Sequence, residues 1–342
     1  MSLDYRKEIL DLPRAVRETL EKGRPEYGPV LRRTRWGELP IYFIGAGQGC
    51  AVARFAAHAF ESLLEWPCIV RTPADFTAYA AASLRPRTIA ILISGGPMDA
   101  DLLEAAKVVR GRNGTALALV AKPEDPLAQA TDGVFLVRAG EEPGGGIRLP
   151  LCQQAAIGYI ALLAAQTLKR HRPQFDSLEG EFGKIPDHIE WAFGQLTQGV
   201  SSLASELARA KSLTLLAGGA YESTALLAAA LLRSLAGIHA APANASEMLM
   251  PQGRPFIREE TLLVLSGSHC RVKKQVHRIV EAAQRAGTNI FALTDGSDAE
   301  LTRRSALSLL LPPLHEITSA TLAHALLAWT AYHAGRPGPH KS

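Results

Sequence analysis

Serine and glycine follow two short apolar runs, in positions where they could bind a phosphate group. The run IAILIS at 89–94 leads into the loop 94–96, and the run LLVLS at 262–266 leads into the loop 266–268. Glycines let an anion approach the backbone amides at a helix start, and serine hydroxyls add further donors. This chemistry needs neither a metal ion nor a cofactor, and we expect neither here.

A third glycine-rich loop, GAGQGC at 45–50, follows the apolar run YFI and could also contact a ligand. Its spacing does not fit a GxGxxG dinucleotide fingerprint, and the next strand, in CIVRTPAD, does not end in an acidic residue. Tight strand-to-helix turns without a ligand are the alternative interpretation of these loops. The candidate ligand-binding residues are Gly47, Gln48, Gly49, Ser94, Gly95, Gly96, Asp99, Ser266, Ser268 and His269.

The loop that contains His269 is followed by Arg271, Lys273 and Lys274 at the start of a predicted helix. Two hydroxyls, a helix N-terminus and nearby cations favour an anion site here over the loop 94–96. The alternative is that these cations form the solvated face of the helix. The sequence therefore permits a phosphate site in either loop, or one shared between them.

The spacing of the loops indicates an internal duplication. Ser94 and Ser266 are 172 residues apart, and so are Gly47 and Gly219. Short apolar runs alternate with amphipathic helices in both halves, which is typical of a parallel sheet covered on both faces. We predict an α/β fold of two tandem lobes, each a parallel five-stranded sheet flanked by helices in three layers. Ligands of such sheets bind at the carboxyl ends of the strands, where these loops lie.

The predicted organisation has five segments. They are an N-terminal helix and lead-in at 1–37, a first domain at 38–168, a linker with a helix at 169–209, a second domain at 210–332 and a tail at 333–342.

Composition argues against several classes of partner. The 342 residues are 47% hydrophobic, and 37 basic against 33 acidic residues give a net charge of +4. Scattered basic residues with few aromatics do not indicate nucleic-acid binding. An uninterrupted apolar stretch of about 18 residues, as a membrane span requires, is absent from the sequence. The start MSLDYRKEILDLPRAV lacks the apolar run of a signal peptide, so we expect a cytoplasmic protein with four free cysteines.

The loops and the duplication resemble the sugar isomerase (SIS) family in its double-domain form. This family includes the isomerase half of glucosamine-fructose-6-phosphate aminotransferase and related phosphosugar isomerases and deglycases. The resemblance extends from EILDLPRAVRETL at 8–20 to LLAWTAYHAG at 326–335. It implies that a hexose phosphate binds at the loops, that the sugar ring opens and isomerises through an enediol-type intermediate, and that the protein is a homodimer with sites near the interface.

Several family motifs are changed in this sequence. The first loop, usually C/S-G-T-S, is AGQG at 46–49. In the phosphate loop, usually S-x-S-G-x-T, Ser94 is kept, a glycine replaces the second serine, and Asp99 replaces the threonine. A carboxylate at this position would repel phosphate. In the third element, E-x-x-x-x-S-T-K, Glu142 is kept and Arg148 offers a different anion contact.

The catalytic motifs of the family are matched less well. Its K-x-x-E motif is not matched, and its E-L-K-H-G-P motif corresponds to EMLMP at 247–251. The resemblance leaves Glu247 and Glu142 as the carboxylates for enediol chemistry, with His239 and His269 as acids. The alternatives are a helix-capping or interface carboxylate for Glu247, a loop-ordering carboxylate for Glu142, and a core or interface histidine for His239.

We therefore expect a protein that binds a phosphorylated sugar or amino sugar and acts as an aldose–ketose isomerase, with deaminase or deglycase activity as a variant. A glutaminase domain is not expected, because no N-terminal cysteine-nucleophile domain precedes the first helix. The alternative is a non-catalytic phosphosugar sensor or regulator, and a structural dimer module is a third class. The expected partners are a phosphosugar and a second copy of the chain, and not nucleic acid or a membrane.

Overall fold

The chain divides into two compact units in a computed structural model. Among the described residues, unit one contains those within 10–186, and unit two contains 5–9 and those within 187–336. The structure describes residues 5–96, 99–141, 146–170, 172, 174–248 and 259–336.

Unit one is built on a single parallel sheet. The first elements of the chain are α1 (Tyr5–Leu10), α2 (Leu12–Arg33), β1 (Ile41–Gly45), α3 (Gln48–Leu64), β2 (Cys68–Arg71), α4 (Pro73–Asp75), a π-helix (Phe76–Ala80), a 3-10 helix (Ala81–Ser83), β3 (Ile89–Ile93), α5 (Ala100–Gly111), β4 (Thr115–Val120), α6 (Pro126–Ala130), β5 (Gly133–Leu136) and α7 (Arg148–Thr167). The five strands have the order β2-β1-β3-β4-β5 and are all parallel. Every residue of β3 is buried, as expected for a central strand covered on both faces.

Unit two has a sheet of the same kind. The remaining elements are α8 (Gln174–Gln195), α9 (Thr197–Arg209), β6 (Ser212–Ala217), α10 (Tyr221–Ala236), β7 (Ala240–Asn244), α11 (Ala245–Met248), β8 (Glu260–Leu265), α12 (Lys273–Ala286), β9 (Asn289–Asp295), α13 (Ala299–Arg304), β10 (Leu307–Leu311) and α14 (Glu316–Ala334). The strand order is β10-β9-β8-β6-β7, again all parallel. The predicted α/β fold with two parallel five-stranded sheets is confirmed.

Each sheet has one point where the strand order reverses. The chain passes from β1 outward to β2 and then returns to β3 on the other side of β1, and β6, β7 and β8 follow the same path. Ligands of open parallel sheets bind at such a point, in the crevice outside the carboxyl ends of the strands. The predicted loops leave β1 and β3 in unit one, and β6 and β8 in unit two, so they border these crevices.

Helix α12 illustrates how the sequence specifies an outer helix. Its buried residues Val276, Ile279, Val280 and Ala283 recur at the spacing of one helical face, and the polar residues between them face outward. The helix ends at Gly287, whose φ of 76° is a left-handed conformation that glycine adopts without strain.

Helix α7 is the one helix in the described part of the chain that is long and apolar enough to cross a membrane. Of its 18-residue apolar window, 89% is buried, and the helix packs against α2 and α3. This placement is that of a core helix.

The predicted linker at 169–209 contains two helices. Residues 174–195 form α8, which continues through Pro186, and a second helix, α9, begins at Thr197. The two helices are separated at Leu196, which directly precedes the first residue of α9.

Candidate functional site

The first loop of unit one connects β1 to α3 and packs tightly against β3. A Cβ atom at Gly49 would lie 2.8 Å from the carbonyl oxygen of Ile93, so the start of α3 approaches the strand end as only glycine allows. Gly47 has a φ of 53°, and a Cβ added there would meet nothing within 4 Å in the described part of the chain. Gly49 is therefore required for packing, whereas Gly47 forms the turn and faces open space.

The second loop of unit one begins at Ser94, which is 6% exposed. Its amide donates to the carbonyl of Leu119 at 3.1 Å and so extends the ladder to β4. Its hydroxyl lies 3.1 Å from the carbonyl of Gly96 and 3.3 Å from Oδ2 of Asp125. The buried Gln153 donates from Nε2 to the carbonyl of Ser94 at 2.6 Å. Ser94 therefore orders the loop from within.

The two loops of unit one meet across the crevice. A Cβ at Gly95 would lie 3.5 Å from the carbonyl oxygen of Ala46, an ordinary contact distance. Gly47 and Gly95 are both exposed. The half-buried Gln48 extends its side chain against Gly146, just before α7.

Two carboxylates border the second loop. Oδ1 of Asp99 accepts a hydrogen bond from the amide of Leu102 at 3.1 Å and caps α5. Asp125 caps α6 in the same way, through the amide of Leu127 at 2.9 Å. Each carboxylate occupies a helix N-terminus, which is the position that a bound anion would favour.

Arg148 forms an internal ion pair. Its Nη1 lies 2.9 Å from Oδ2 of Asp11, and its Nη2 donates to the carbonyl of Glu141. Burial alone would raise the pKa of Asp11, but hydrogen bonds from Arg14 and Arg148 lower it below its usual value. The guanidinium proposed from the sequence as an anion contact is thus engaged by a carboxylate of the same unit.

In unit two, a buried glutamate covers the first loop. Glu316 is the first residue of α14, and its Oε1 accepts a hydrogen bond from the amide of Ala220 at 3.2 Å. The same carboxylate lies against Gly219, whose φ of 59° matches that of Gly47. The space that is open above Gly47 in unit one is therefore filled by Glu316 in unit two.

The second loop of unit two closes around Asp295, which is 1% exposed. The amide of Ser268 donates to its Oδ2 at 2.6 Å, and a Cβ at Gly267 would lie 2.9 Å from the same oxygen and 2.7 Å from the hydroxyl of Tyr221. Burial alone would raise the pKa of Asp295, but hydrogen bonds from Ser297 and Ser268 lower it. The loop amide therefore points to an internal carboxylate.

Ser266 is fully buried at the end of β8. Its amide donates to the carbonyl of Leu293 at 3.2 Å, as the amide of Ser94 does to Leu119 in unit one. Burial raises the pKa of the neighbouring Cys270 thiol to about 12. The hydroxyl at 266 lies in the interior and does not face solvent.

Of the cations that follow this loop, Lys273 contacts a carboxylate and Lys274 is exposed to solvent. Nζ of Lys273 lies 3.5 Å from Oδ2 of Asp298, which also lies 3.0 Å from Nε2 of His277. His269 and Lys274 are exposed. One of the predicted cations is thus paired with a carboxylate that is 1% exposed.

The structure separates two of the catalytic candidates, Glu247 and His239. Glu142 lies outside the described residues. Glu247 is exposed on α11, just beyond the carboxyl end of β7, whereas the exposed His239 immediately precedes that strand. A five-residue strand spans about 16 Å, so His239 and Glu247 lie at opposite ends of β7.

The structure adds residues that sequence reasoning missed. Gln153, Asp125 and Glu316 each bind loop backbone or a loop side chain from a distant position, and the sequence around them carries no local signal. Within the described ranges, the histidine, cysteine, aspartate and glutamate side chains form no group that could hold a metal ion.

A protein-family model matches the chain over both sheets and the loops that follow their strands. The model of the SIS domain matches residues 38–164 and 206–334. The chain belongs to the SIS domain family. Two copies of the SIS domain are present, one around each of the sheets described above.

The curated relatives of this chain are aminotransferases by name. Glutamine–fructose-6-phosphate aminotransferase (isomerizing) of Bradyrhizobium diazoefficiens is 28% identical over 292 residues, which are 83% of this chain and 47% of that protein. The enzyme of the same name from Thermococcus kodakarensis is 25% identical over 335 residues, 96% of this chain and 54% of that protein. The chain spans about half the length of these curated relatives.

Solved SIS structures share the fold. The C-terminal domain of glucosamine-fructose-6-phosphate aminotransferase from Francisella tularensis superimposes with a TM-score of 0.86 and 17% identity, over 98% of this chain and 96% of that chain. Tagatose-6-phosphate ketose/aldose isomerase from Escherichia coli has a TM-score of 0.72 and 14% identity, over 97% and 92% of the two chains. At this level of identity the likeness establishes the fold alone.

Proposed function

We propose that this SIS protein binds a phosphorylated sugar or amino sugar in the crevice of unit one. The proposed contacts are Gly47, Gln48 and Gly49 from the first loop, with Ser94, Gly95 and Gly96 from the second. The relatives' names refer to enzymes that act on fructose 6-phosphate and tagatose 6-phosphate, which supports this class of ligand.

The observation that carries the proposal is a difference between the two crevices. In unit one, Gly47 and Gly95 are exposed, and a Cβ at Gly47 would meet no atom of the described residues within 4 Å. In unit two, Glu316 covers Gly219, and Gly267 is buried against Asp295. A phosphate can approach exposed glycine backbone, whereas two buried carboxylates would repel it. Ser266, Ser268 and His269 are therefore less suitable as ligand contacts than the loops of unit one.

The proposed reaction is aldose–ketose isomerisation. A carboxylate base removes a proton from the carbon next to the carbonyl while an acid protonates the carbonyl oxygen, which gives the enediol. The base then returns its proton to the former carbonyl carbon, and the hydroxyl on the neighbouring carbon gives its proton back to the acid and becomes the new carbonyl. Glu247 and Glu142 remain the proposed bases, and His239 the proposed acid. Because His239 and Glu247 lie at opposite ends of β7, this pair requires one of its members to come from a second copy of the chain.

A non-catalytic sensor is the second candidate function, and the placement of the catalytic candidates favours it. Glu247 is exposed on a four-residue helix, far from His239. Such a protein would keep the phosphate-binding loops and bind the sugar without turning it over. In either case the proposed assembly is a homodimer, and the proposed location is the cytoplasm.

The first test is calorimetry with fructose 6-phosphate, glucosamine 6-phosphate and tagatose 6-phosphate, followed by a search for isomerised or deaminated product. Turnover that is lost in Glu247→Gln, with affinity unchanged, supports the isomerase. Binding without turnover supports the sensor. If none of the three sugars binds at millimolar concentration, both functions are contradicted.

A matched pair of variants locates the site. Gly95→Asp adds a carboxylate to the exposed loop of unit one, where the Cβ fits at 3.5 Å from its nearest neighbour. His269→Asp adds one to the exposed loop of unit two. We expect the first variant to abolish phosphosugar binding and the second to keep it. If His269→Asp abolishes binding and Gly95→Asp keeps it, the site lies in unit two.

A further inference from the structure

The structure contains a second cleft in unit one, at the opposite edge of the sheet from the SIS loops. It has a volume of about 730 Å³ and lies where β4 and β5 begin, with Thr115 and Gly133 in its wall. Four arginines line it: Arg33 at the end of α2, Arg35 just beyond, Arg87 before β3 and Arg110 near the end of α5. They come from three separate parts of the sequence, at 33–35, 87 and 110, and meet only in the fold.

Three of the four guanidinium groups have no partner in the described part of the chain. Arg33, Arg35 and Arg87 are exposed, and their side chains make neither an ion pair nor a hydrogen bond with the described residues. Arg110 contacts Asp132 at 3.1 Å, and this aspartate is the only acidic residue in the wall. The lining therefore carries an excess of three positive charges, against +4 for the whole chain.

The backbone fixes one of these arginines in an unusual conformation. Arg87 has a φ of 69°, a left-handed value that residues with long side chains seldom adopt. Its amide donates to the carbonyl of Asn113 at 2.9 Å, and Asn113 is itself left-handed, with a φ of 57°. Such strain persists where the surrounding structure holds it, and it concentrates at ligand sites.

Compensation of helix dipoles explains part of this charge. Helices α2 and α5 end at the cleft, and each C-terminus carries about half a negative charge, which Arg33 and Arg110 offset. Arg35 and Arg87 lie on no helix, so this role does not account for them. Two positive charges remain for an external anion.

We propose that this cleft binds a small molecule that carries two or more linked phosphate groups. Guanidinium groups match phosphate oxygens with two parallel hydrogen bonds each, and the volume lies in the range of small-ligand sites. The lining holds no aromatic side chain on which a nucleic-acid base could stack, which favours a small ligand over single-stranded nucleic acid. The site is separate from the phosphosugar loops and does not depend on the function proposed for them.

The test is calorimetry of the full chain with inorganic tripolyphosphate, ATP and orthophosphate. We expect tripolyphosphate to bind at least tenfold more tightly than orthophosphate. If ATP matches or exceeds tripolyphosphate, the nucleotide is the physiological form of the ligand; if tripolyphosphate alone binds, the base is excluded. If neither tripolyphosphate nor ATP binds at millimolar concentration, the proposal is overturned.

The double variant Arg35→Gln/Arg87→Gln should weaken tripolyphosphate binding about a hundredfold, or about tenfold for each arginine removed. Its control is Arg278→Gln/Arg303→Gln, which removes the same charge from exposed positions of unit two. Circular dichroism and the melting temperature verify that both variants fold. If tripolyphosphate binding is weakened equally in the double variant and its control, the proposal is overturned. It is also overturned if a 20-nucleotide DNA strand binds more tightly than tripolyphosphate and displaces it. Phosphosugar affinity should be the same in both variants.

Discussion

Oε1 of Glu316 accepts a hydrogen bond from the amide of Ala220 at 3.2 Å, across 96 residues of sequence. The acid lies where a bound anion would lie in an open SIS loop, at the N-terminus of α10. This contact is one of two that distinguish the crevices, the other being that of Gly267 with Asp295, although the two sheets have the same topology.

Replacement of Glu316 tests its role as a helix cap. Glu316→Ala should lower the free energy of unfolding by about 1–2 kcal/mol, because it removes a buried cap. Glu316→Gln keeps an acceptor oxygen, so it should lower the free energy of unfolding by about half as much as Glu316→Ala. Urea denaturation of the three proteins measures both values.

A double-mutant cycle isolates the contact of Glu316 with Gly219. Gly219→Ala should be less destabilising in the Glu316→Ala background than in the wild type, since the carboxylate that fills the Cβ position is gone. If the two substitutions are additive, the carboxylate does not occupy that position in solution.

Two neighbouring glycines of the first loop should respond differently to alanine. Gly49→Ala places a Cβ 2.8 Å from the carbonyl oxygen of Ile93 and should destabilise by about 2–3 kcal/mol. Gly47→Ala meets no neighbour and should cost only about 1 kcal/mol, for its left-handed φ. Thermal unfolding compares the two. Gly180→Ala, at an exposed position inside α8 with open space around it, is the control and should stabilise by up to about 1 kcal/mol.

The charge of Asp99 should oppose phosphosugar binding, if the function proposed for unit one is correct. Asp99→Asn keeps the cap on α5 and removes the charge, so the affinity for fructose 6-phosphate should rise about fivefold, equivalent to about 1 kcal/mol. Asp99→Ala should show the same gain but lose about 1 kcal/mol of stability with the cap. Calorimetry and urea denaturation separate the two effects. An unchanged affinity in both variants would place the phosphate away from α5.

Stability should fall between pH 7 and pH 5 because of His324. Complete burial lowers the pKa of His324 to about 3, from an ordinary value of 6.5. Between these two values the unfolded chain binds a proton that the folded chain does not, so acid favours unfolding. The loss at pH 5 should be about 2 kcal/mol. Urea denaturation at both pH values measures it; His324→Gln should flatten this dependence, whereas a change at the exposed His269 should leave it intact.

The sequence predicts the framework of the site because that framework is local. Ser94 and Ser266 each end a strand, and their shared spacing places their amides in equivalent ladder bonds to Leu119 and Leu293. Strand ends and glycine turns depend on nearby residues, and both sheets follow from them.

The surroundings of the loops could not be predicted, because they depend on tertiary contacts. Glu316 looks like an ordinary acidic residue in the first turn of a helix, and only the packing of α14 beside α10 brings it to Gly219. Arg35 and Arg87 look like scattered surface charges, which is why the basic residues indicated no anion site other than the loops.

Strand β4 is a common part of both regions of unit one. Thr115, its first residue, lines the arginine cleft, and the carbonyl of Leu119, near its other end, accepts the amide of Ser94. Thr115 and Leu119 are four residues apart, about 13 Å along the strand. The cleft and the loop that begins at Ser94 are therefore built on opposite ends of one short strand, so a substitution that unfolds β4 would remove both regions at once.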